Sequence, residues 1–280
     1  MYGTLPRFVA REALPSAIAV SSSYTQLAVF AGPALAGWII ATQGTTAAFV
    51  VNAAGYFVLL ISFLNLRTPA DYRQPKPEAR SIGQDILDGV RYLVADRTIL
   101  SLLLLGLVTS SLVSGFYHLM PAYSEQVLGL GVVGLSTILA CLGLGATGAA
   151  FWLAHGGTDA VRLERVLWAA LVAMLALAAM VLTENLYLAA AIAVVVGFAA
   201  ETRRTSTMAL VQLNVEEGQR GRVMGTLFMF SQLAAGIGAY AIGSAAAGHG
   251  LQIPTLIGVA IGTVVWLVLY LRRKSLFHTA

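Results

Sequence analysis

The chain has 280 residues, of which 58% are hydrophobic and only 11% are charged. Its mean hydropathy is +0.79. Together these values exclude a soluble domain, in which about 25% of the residues are charged. The single cysteine, Cys141, excludes a disulfide framework and a cysteine-rich metal site. The net charge of +4 does not indicate nucleic acid, because the basic residues lie mainly at the ends of apolar runs.

Eight apolar runs follow one another, and each is long enough for a helix to cross a hydrocarbon layer of about 30 Å. They cover residues 17–42, 45–65, 98–122, 129–154, 163–183, 186–213, 221–247 and 251–271. The sequence therefore predicts an all-α transmembrane protein with eight membrane-spanning helices, embedded in a lipid bilayer.

Basic residues occupy alternate joints between these runs. The joints at 43–44, 123–128, 184–185 and 248–250 contain neither Lys nor Arg, whereas the joints on the other side all carry basic residues. Basic loops stay on the cytoplasmic side of a membrane. We therefore expect a multi-pass protein of the bacterial plasma (inner) membrane with both termini in the cytoplasm.

The longest polar stretch divides the chain into three parts: 1–66 with two spans, a cytoplasmic linker over 67–97, and 98–280 with six spans. The first half of the linker is rich in proline and charge, which is typical of an exposed segment. The second half has an apolar stripe at helical spacing, so we expect an amphipathic helix along the membrane surface. The stripe consists of Ile82, Ile86, Val90, Leu93 and Val94.

The first two spans resemble the last two at an offset of 206 residues. At this offset Gly37 falls on Gly243 and Gly44 falls on Gly250. The segments Gln26–Ala28 and Gln232–Ala234 are identical, and Arg67 falls on Arg273. Parallel repeats occur in one large class of transporters. A duplication would place four further spans before residue 1, so we expect the chain to be the N-terminally truncated tail of a twelve-span protein.

Several segments resemble motifs of the major facilitator superfamily, in particular the bacterial exporter branch that includes the enterobactin exporter and macrolide efflux pumps. Residues 5–17 are similar to the loop between helices four and five. Residues 32–37, Gly-Pro-Ala-Leu-Ala-Gly, are similar to the glycine-proline motif of helix five, and 49–53 to the start of helix six. Residues 216–225 are similar to the loop between helices ten and eleven, whereas the motif expected at 156–162 is degenerate.

The resemblance implies that the eight spans correspond to helices 5–12 of a twelve-helix fold and that helices 1–4 are missing partners. It implies a secondary active transporter that exports a small, drug- or siderophore-like organic molecule in exchange for protons and uses no cofactor. Because half of the cavity wall would be missing, we expect the 280-residue chain alone to transport nothing. The alternatives are a non-transporting membrane scaffold or an integral membrane enzyme.

Three charged residues lie within the sixth run: Glu201, Arg203 and Arg204. One charge at the centre of a span costs roughly 2.5–3.5 kcal/mol on insertion scales, so such residues usually face a wet cavity or neutralise one another. Glu201 and Arg204 are three residues apart and can pair on one helical face. We expect Glu201 to exchange protons or contact a cationic group and an arginine to contact an anionic group. The alternatives are a structural pair to a neighbouring helix, or a span that bends so that these residues reach the inner interface.

The third run carries Thr109, Ser114 and Tyr117, which the resemblance implies line the cavity. His118 is a further proton-site candidate, because imidazole titrates near neutral pH, although an ordinary interfacial histidine is the alternative. Two groups are assigned to structure and gating. The helix-packing motif comprises Gly32, Pro33, Gly37 and Gly243, and the cytoplasmic gate loop comprises Arg220, Gly221 and Arg222.

The sequence contains no recognisable catalytic motif, so we expect no enzyme activity. The four histidines, His118, His155, His249 and His278, are spread over both ends of the predicted spans. They cannot gather around one ion, and we therefore expect no metal site.

Overall fold

The computed structural model describes residues 14–65, 82–155, 162–215 and 219–273. All regular secondary structure in these ranges is helical. The sequence predictions for residues 5–13, for the proline-rich half of the linker, for 156–161, for 216–218 and for His278 lie outside the described residues. The helices are α1 (Leu14–Leu64), α2 (Ile82–Ala95), α3 (Arg97–Thr109), α4 (Gly115–Tyr117), α5 (Met120–Gln126), α6 (Gly131–His155), α7 (Leu163–Val181), α8 (Leu186–Asn214), α9 (Arg220–His249) and α10 (Gln252–Leu271).

Seven helical segments of the described residues are long and apolar enough to cross a membrane. They are Thr42–Leu64, Arg97–Tyr117, Gly131–Leu153, Leu163–Val181, Leu186–Val211, Gly221–His249 and Gln252–Leu271. The eighth expected span, 17–42, falls on the first part of α1, where most side chains lie outside the description. Eight spans therefore stay a prediction, as does the division at 66 and 97.

Two glycines break the helices at equivalent points of the proposed repeat. Gly44 interrupts α1 with φ 81° and ψ 171°, and Gly250 separates α9 from α10 with φ 70° and ψ 169°. This region of backbone space is essentially restricted to glycine. The two residues lie 206 positions apart and share one conformation, and the duplication itself stays a prediction.

The third predicted span, 98–122, is shorter and less regular than the sequence indicates. After α3 the chain makes a π-helical turn over Ser110–Ser114, and α4 then ends at Tyr117. A separate helix, α5, begins at Met120 with Pro121 in its first turn, a position at which proline costs no hydrogen bond. Hydropathy does not detect such a break, because the residues on both sides remain apolar.

Helix α2 packs against the start of α9. Gly89 of α2 lies so close to Thr226 that a β-carbon on the glycine would overlap the threonine hydroxyl. Leu93 on the apolar stripe is fully buried, whereas Val94 is exposed. The helix within the linker is therefore docked on the bundle through its small and apolar residues.

Close backbone contacts join the longer helices. A β-carbon on Gly197 of α8 would overlap the carbonyl oxygen of Leu142 on α6, and one on Gly145 would overlap that of Val194. Gly238 of α9 meets the carbonyl oxygen of Ser111 in the π turn in the same way. Small residues at helix interfaces allow this approach in membrane proteins. Helix α8 also packs against α7, so it lies between two neighbours.

Aromatic and basic side chains cluster at one end of the bundle. The Trp266 ring stacks on Tyr270 at a centroid distance of 5.0 Å, and the Arg273 guanidinium lies 3.9 Å from the centre of the Tyr270 ring. Arg165 lies 4.6 Å from the centre of the Trp152 ring. This arrangement is typical of an aromatic belt at a membrane–water interface.

Tyr123 of α5 marks the opposite end. It is fully buried, and its hydroxyl donates to the carbonyl oxygens of Met180 (2.6 Å) and Thr183 (3.0 Å) at the end of α7. The hydroxyl therefore ties the joint after α7 to the short helix that follows α4.

Candidate functional site

The charged group of α8 lies inside a span. Arg203 is eight residues before Val211, the end of the apolar segment of α8, or about 12 Å along the helix axis. It is about 26 Å from Leu186 at the other end by the same measure. The charges therefore lie in the half of the span nearer the aromatic and basic end of the bundle.

Glu201 and Arg204 form the ion pair that their spacing predicts. Arg204 donates from Nη2 to Glu201 Oε1 at 2.7 Å and from Nε to Glu201 Oε2 at 2.9 Å. Thr205 donates a third hydrogen bond to Glu201 Oε1 at 2.7 Å. The Glu201 side chain is 12% exposed and that of Arg204 is 51% exposed. The carboxylate is thus held by three donors and is largely buried.

Arg203 points in a different direction and is buried. Only 8% of the residue is exposed, and its Nε has no hydrogen-bond partner among the described residues. Two neighbouring hydroxyl oxygens, Thr202 Oγ1 and Ser206 Oγ, are also buried and have no hydrogen-bond partner in the described part of the chain. Ser206 is one helical turn from both Thr202 and Arg203, whereas Thr202 and Arg203 are neighbours about 100° apart around the helix.

The Arg203 guanidinium reaches α3 at Gly106. A β-carbon placed on Gly106 would lie 3.7 Å from Arg203 Nη1, which is ordinary van der Waals contact. Two polar residues lie about one helical turn beyond Gly106. They are Thr109, the last residue of α3, and Ser110, the first residue of the π turn, and both are buried. The site therefore lies between α8 and α3, two helices that are in contact.

The formal charges of this group do not cancel. Glu201 and Arg204 neutralise each other, and Arg203 leaves one uncompensated positive charge in a buried position. An unpaired buried charge is unfavourable unless it is matched by a counter-charge. The buried positive charge of Arg203 can therefore attract an anionic group.

The other candidates of the third run are dispersed. Thr109 is buried and donates its hydroxyl to the carbonyl oxygen of Leu105. Ser114 is half-buried, and Tyr117 is 50% exposed at the end of α4. His118 is exposed and packs edge-on against Tyr117, with ring centroids 6.1 Å apart. The structure does not bring His118 to the charged group on α8.

The packing and gate candidates are described in part. Gly32 is exposed, and a β-carbon added to it would have no neighbour within 4 Å among the described residues. The surroundings of Pro33 and Gly37 lie outside the described side chains. Gly243 faces Leu119, whose Cδ2 would lie 3.4 Å from an added β-carbon. The gate-loop candidates lie at the start of α9.

In that gate loop, Arg222 donates from Nη1 to Gln219 Oε1 at 3.5 Å. Gly221 is exposed, and the Arg220 side chain lies outside the described residues. Their expected gating role stays a prediction. Across the described ranges, no group of three or more His, Cys, Asp or Glu side chains is close enough to hold a metal ion.

Sequence reasoning missed four members of the site: Thr202, Thr205, Ser206 and Gly106. A signal was present, because hydroxyl residues flank Arg203 at one-turn spacing within an otherwise apolar helix. The contribution of Gly106 could not be found in this way, since it depends on which helix faces α8.

A family comparison identifies the class of protein. The Major Facilitator Superfamily model matches residues 1–239, which is most of the chain. The chain therefore belongs to the Major Facilitator Superfamily. It is a multi-pass membrane protein of a transporter family and not an enzyme.

Solved structures agree with this assignment. The chain is similar to a bacterial homologue of the human lysosomal transporter Spinster, whose crystal structure is inward-facing and unoccupied. The TM-score is 0.68 at 17% sequence identity, over 99% of this chain and 74% of that chain. At this identity the likeness shows the fold alone. No curated protein matches the sequence.

Proposed function

We propose that this protein is a proton-coupled secondary transporter of the bacterial inner membrane that exports a small, drug- or siderophore-like organic molecule. In this proposal Glu201 takes up and releases the coupling proton. Arg204 holds the carboxylate in place, and Arg203 contacts an anionic group of the substrate. Both termini lie in the cytoplasm, at the end of the bundle that carries Arg165 and Arg273.

One observation carries the proposal: a carboxylate inside a span is paired with an arginine and lies beside a second arginine whose Nε has no partner among the described residues. Intramembrane charges that persist despite their insertion cost usually belong to ion or substrate pathways. A purely structural pair would need Glu201 and Arg204 alone. The additional buried charge of Arg203 has no structural purpose among the described contacts.

The proposal makes Glu201 a group that must alternate between two protonation states. When Glu201 binds a proton, the ion pair loses its negative partner and Arg204 is released from a charge-assisted bond. Because Arg204 is half exposed, its guanidinium can then turn toward solvent without being stranded in the core. The pair is therefore suited to couple protonation to a rearrangement of α8.

The test is transport by reconstituted vesicles. The protein encoded by the whole reading frame, including any upstream continuation of the gene, is placed in liposomes that contain a pH-sensitive dye. A panel of drug- and siderophore-like compounds is then screened for flux coupled to a proton gradient. The expected four missing helices stay a prediction, and in-frame upstream DNA encoding four more apolar runs would support it.

The variant Glu201→Gln should lose coupled flux, because the amide cannot exchange the proton, while Glu201→Asp should retain part of it. Glu164→Gln is the matched control, because Glu164 is an exposed carboxylate in the first turn of α7. Unchanged proton-coupled flux in Glu201→Gln would contradict the proposed role.

A further inference from the structure

The buried polar atoms around Arg203 define a binding surface separate from the Glu201–Arg204 pair. Arg203, Thr202 and Ser206 are 8%, 3% and 1% exposed. Their Nε, Oγ1 and Oγ atoms are buried without hydrogen-bond partners among the described residues. Buried polar groups are almost always satisfied, so three neighbouring donors on α8 that lack partners among the described residues point to an additional acceptor.

All three residues can donate hydrogen bonds, and one is charged. A guanidinium presents parallel N–H groups that match the two oxygens of a carboxylate, and hydroxyl groups add further donors. No carboxylate of the described chain pairs with Arg203, because Glu201 is engaged by Arg204. Among the described residues, Arg203 therefore has no acceptor of opposite charge.

The charge of the site selects among possible anions. Glu201 and Arg204 cancel, which leaves a single positive charge on Arg203. A singly charged anion would neutralise the site, whereas a doubly charged phosphate group would leave an excess negative charge in a buried position, which is costly. At Gly106 an added β-carbon would be in ordinary van der Waals contact with Arg203 Nη1 at 3.7 Å, so the glycine marks where the guanidinium meets α3.

We infer that Arg203, Thr202 and Ser206 form a subsite for a single carboxylate group of the transported molecule, on the part of α8 that meets α3 at Gly106. This inference deepens the proposed function and rests on it for the identity of the ligand as cargo. It narrows the substrate class to organic monocarboxylates.

Binding is measured on the purified protein in detergent, by calorimetry at constant pH and ionic strength. The probes are benzoate, its neutral analogue benzamide, chloride and inorganic phosphate. We expect saturable binding of benzoate and none of benzamide. Chloride or phosphate that binds more tightly than benzoate would overturn the carboxylate assignment.

The variant Arg203→Gln should weaken benzoate binding about tenfold or more, because it removes a charge-assisted, bidentate contact. Arg203→Lys should weaken it less, since a lysine keeps the charge but not the fork. Arg91→Gln is the control, because it removes the same charge from an exposed pair with Asp88 on α2. Equal benzoate affinity in Arg203→Gln and the parent would overturn the inference.

The unfolding temperature distinguishes ligand binding by Arg203 from a structural role, because a structural role predicts that Arg203→Gln unfolds at a lower temperature than the parent. Without benzoate, Arg203→Gln should unfold at the same temperature as the parent or a higher one, because a buried unpaired charge has been removed. A lower unfolding temperature together with no benzoate binding by the parent would overturn the subsite. If Arg203→Gln fails to fold, the double variant Thr202→Val, Ser206→Ala is used, because it keeps the charge of Arg203. It should weaken benzoate binding several-fold. Unchanged benzoate affinity in the double variant would overturn the subsite.

The two proposals fail in different ways. Benzoate binding without any proton-coupled flux would remove the proposed transport function and leave the carboxylate site. Proton-coupled flux that depends on Glu201, in a protein that does not bind benzoate, would remove the carboxylate site and leave the transport function.

Discussion

The ion pair within α8 predicts a measurable coupling between Glu201 and Arg204. Glu201→Gln removes the negative charge, weakens two hydrogen bonds from Arg204 and leaves two neighbouring arginines uncompensated. Hydrogen bonds to charged groups contribute about 1.5–3 kcal/mol each. Because the Arg204 side chain is 51% exposed, screening favours the low end of this range, about 3 kcal/mol for the two bonds together.

A double-mutant cycle measures the interaction energy between Glu201 and Arg204 separately from the effect of each substitution alone. The variants Glu201→Gln, Arg204→Gln and the combination are compared by equilibrium unfolding in mixed micelles, followed by circular dichroism. We expect the double variant to be more stable than the sum of the single changes predicts, by about 1–2 kcal/mol, since contacting residues typically couple by 0.5–3 kcal/mol. Single effects that add within about 0.5 kcal/mol would refute the interaction.

Three further outcomes are expected from the packing and the topology. Gly197→Ala should lower the free energy of unfolding by about 1–3 kcal/mol, because its β-carbon would overlap the Leu142 carbonyl. The control Gly236→Ala, in open space on α9, should be neutral or stabilising. Equal effects of the two variants in an unfolding assay would contradict the α6–α8 contact. Tyr123→Phe should cost about 1–2 kcal/mol through its lost hydrogen bonds. Burial raises the pKa of Tyr123 to about 12, whereas the usual tyrosine value is about 10. The parent protein should therefore lose free energy of unfolding as the pH rises from about 10 toward 12. The same dependence of the unfolding free energy on pH in Tyr123→Phe would contradict this. The orientation is tested with a cysteine at the exposed position 249, in a protein whose native Cys141 is replaced by serine. This cysteine should react with an impermeant thiol reagent only from the periplasmic side. Labelling only from the cytoplasm would reverse the proposed orientation.

Much of the architecture could be predicted from local sequence. Helices α6, α7, α8, α9 and α10 begin and end close to the apolar runs, because hydrocarbon thickness fixes how many apolar residues a span requires. The equivalence of Gly44 and Gly250 also came from sequence comparison, and their shared backbone conformation gives it a physical meaning. The pairing of Glu201 with Arg204 followed from helical spacing alone.

The irregular part of the third span could not be predicted. The π turn at Ser110–Ser114 and the break after Tyr117 leave the hydropathy of the segment unchanged. Their position is coupled to a neighbour, since Ser111 in the π turn meets the backbone of α9 at Gly238. Only Pro121, at the start of α5, is a local signal of the new helix.

The sequence by itself determined that this protein crosses a membrane, where the spans formed by α6 to α10 lie and that α8 carries charge within one of them. These properties depend on each residue's own transfer free energy and on the fixed spacing of a helix. Tertiary structure alone decided that Arg203 is buried against Gly106 while Arg204 is half exposed. The two arginines are adjacent in sequence, so their different environments arise from which neighbouring helix covers each face of α8.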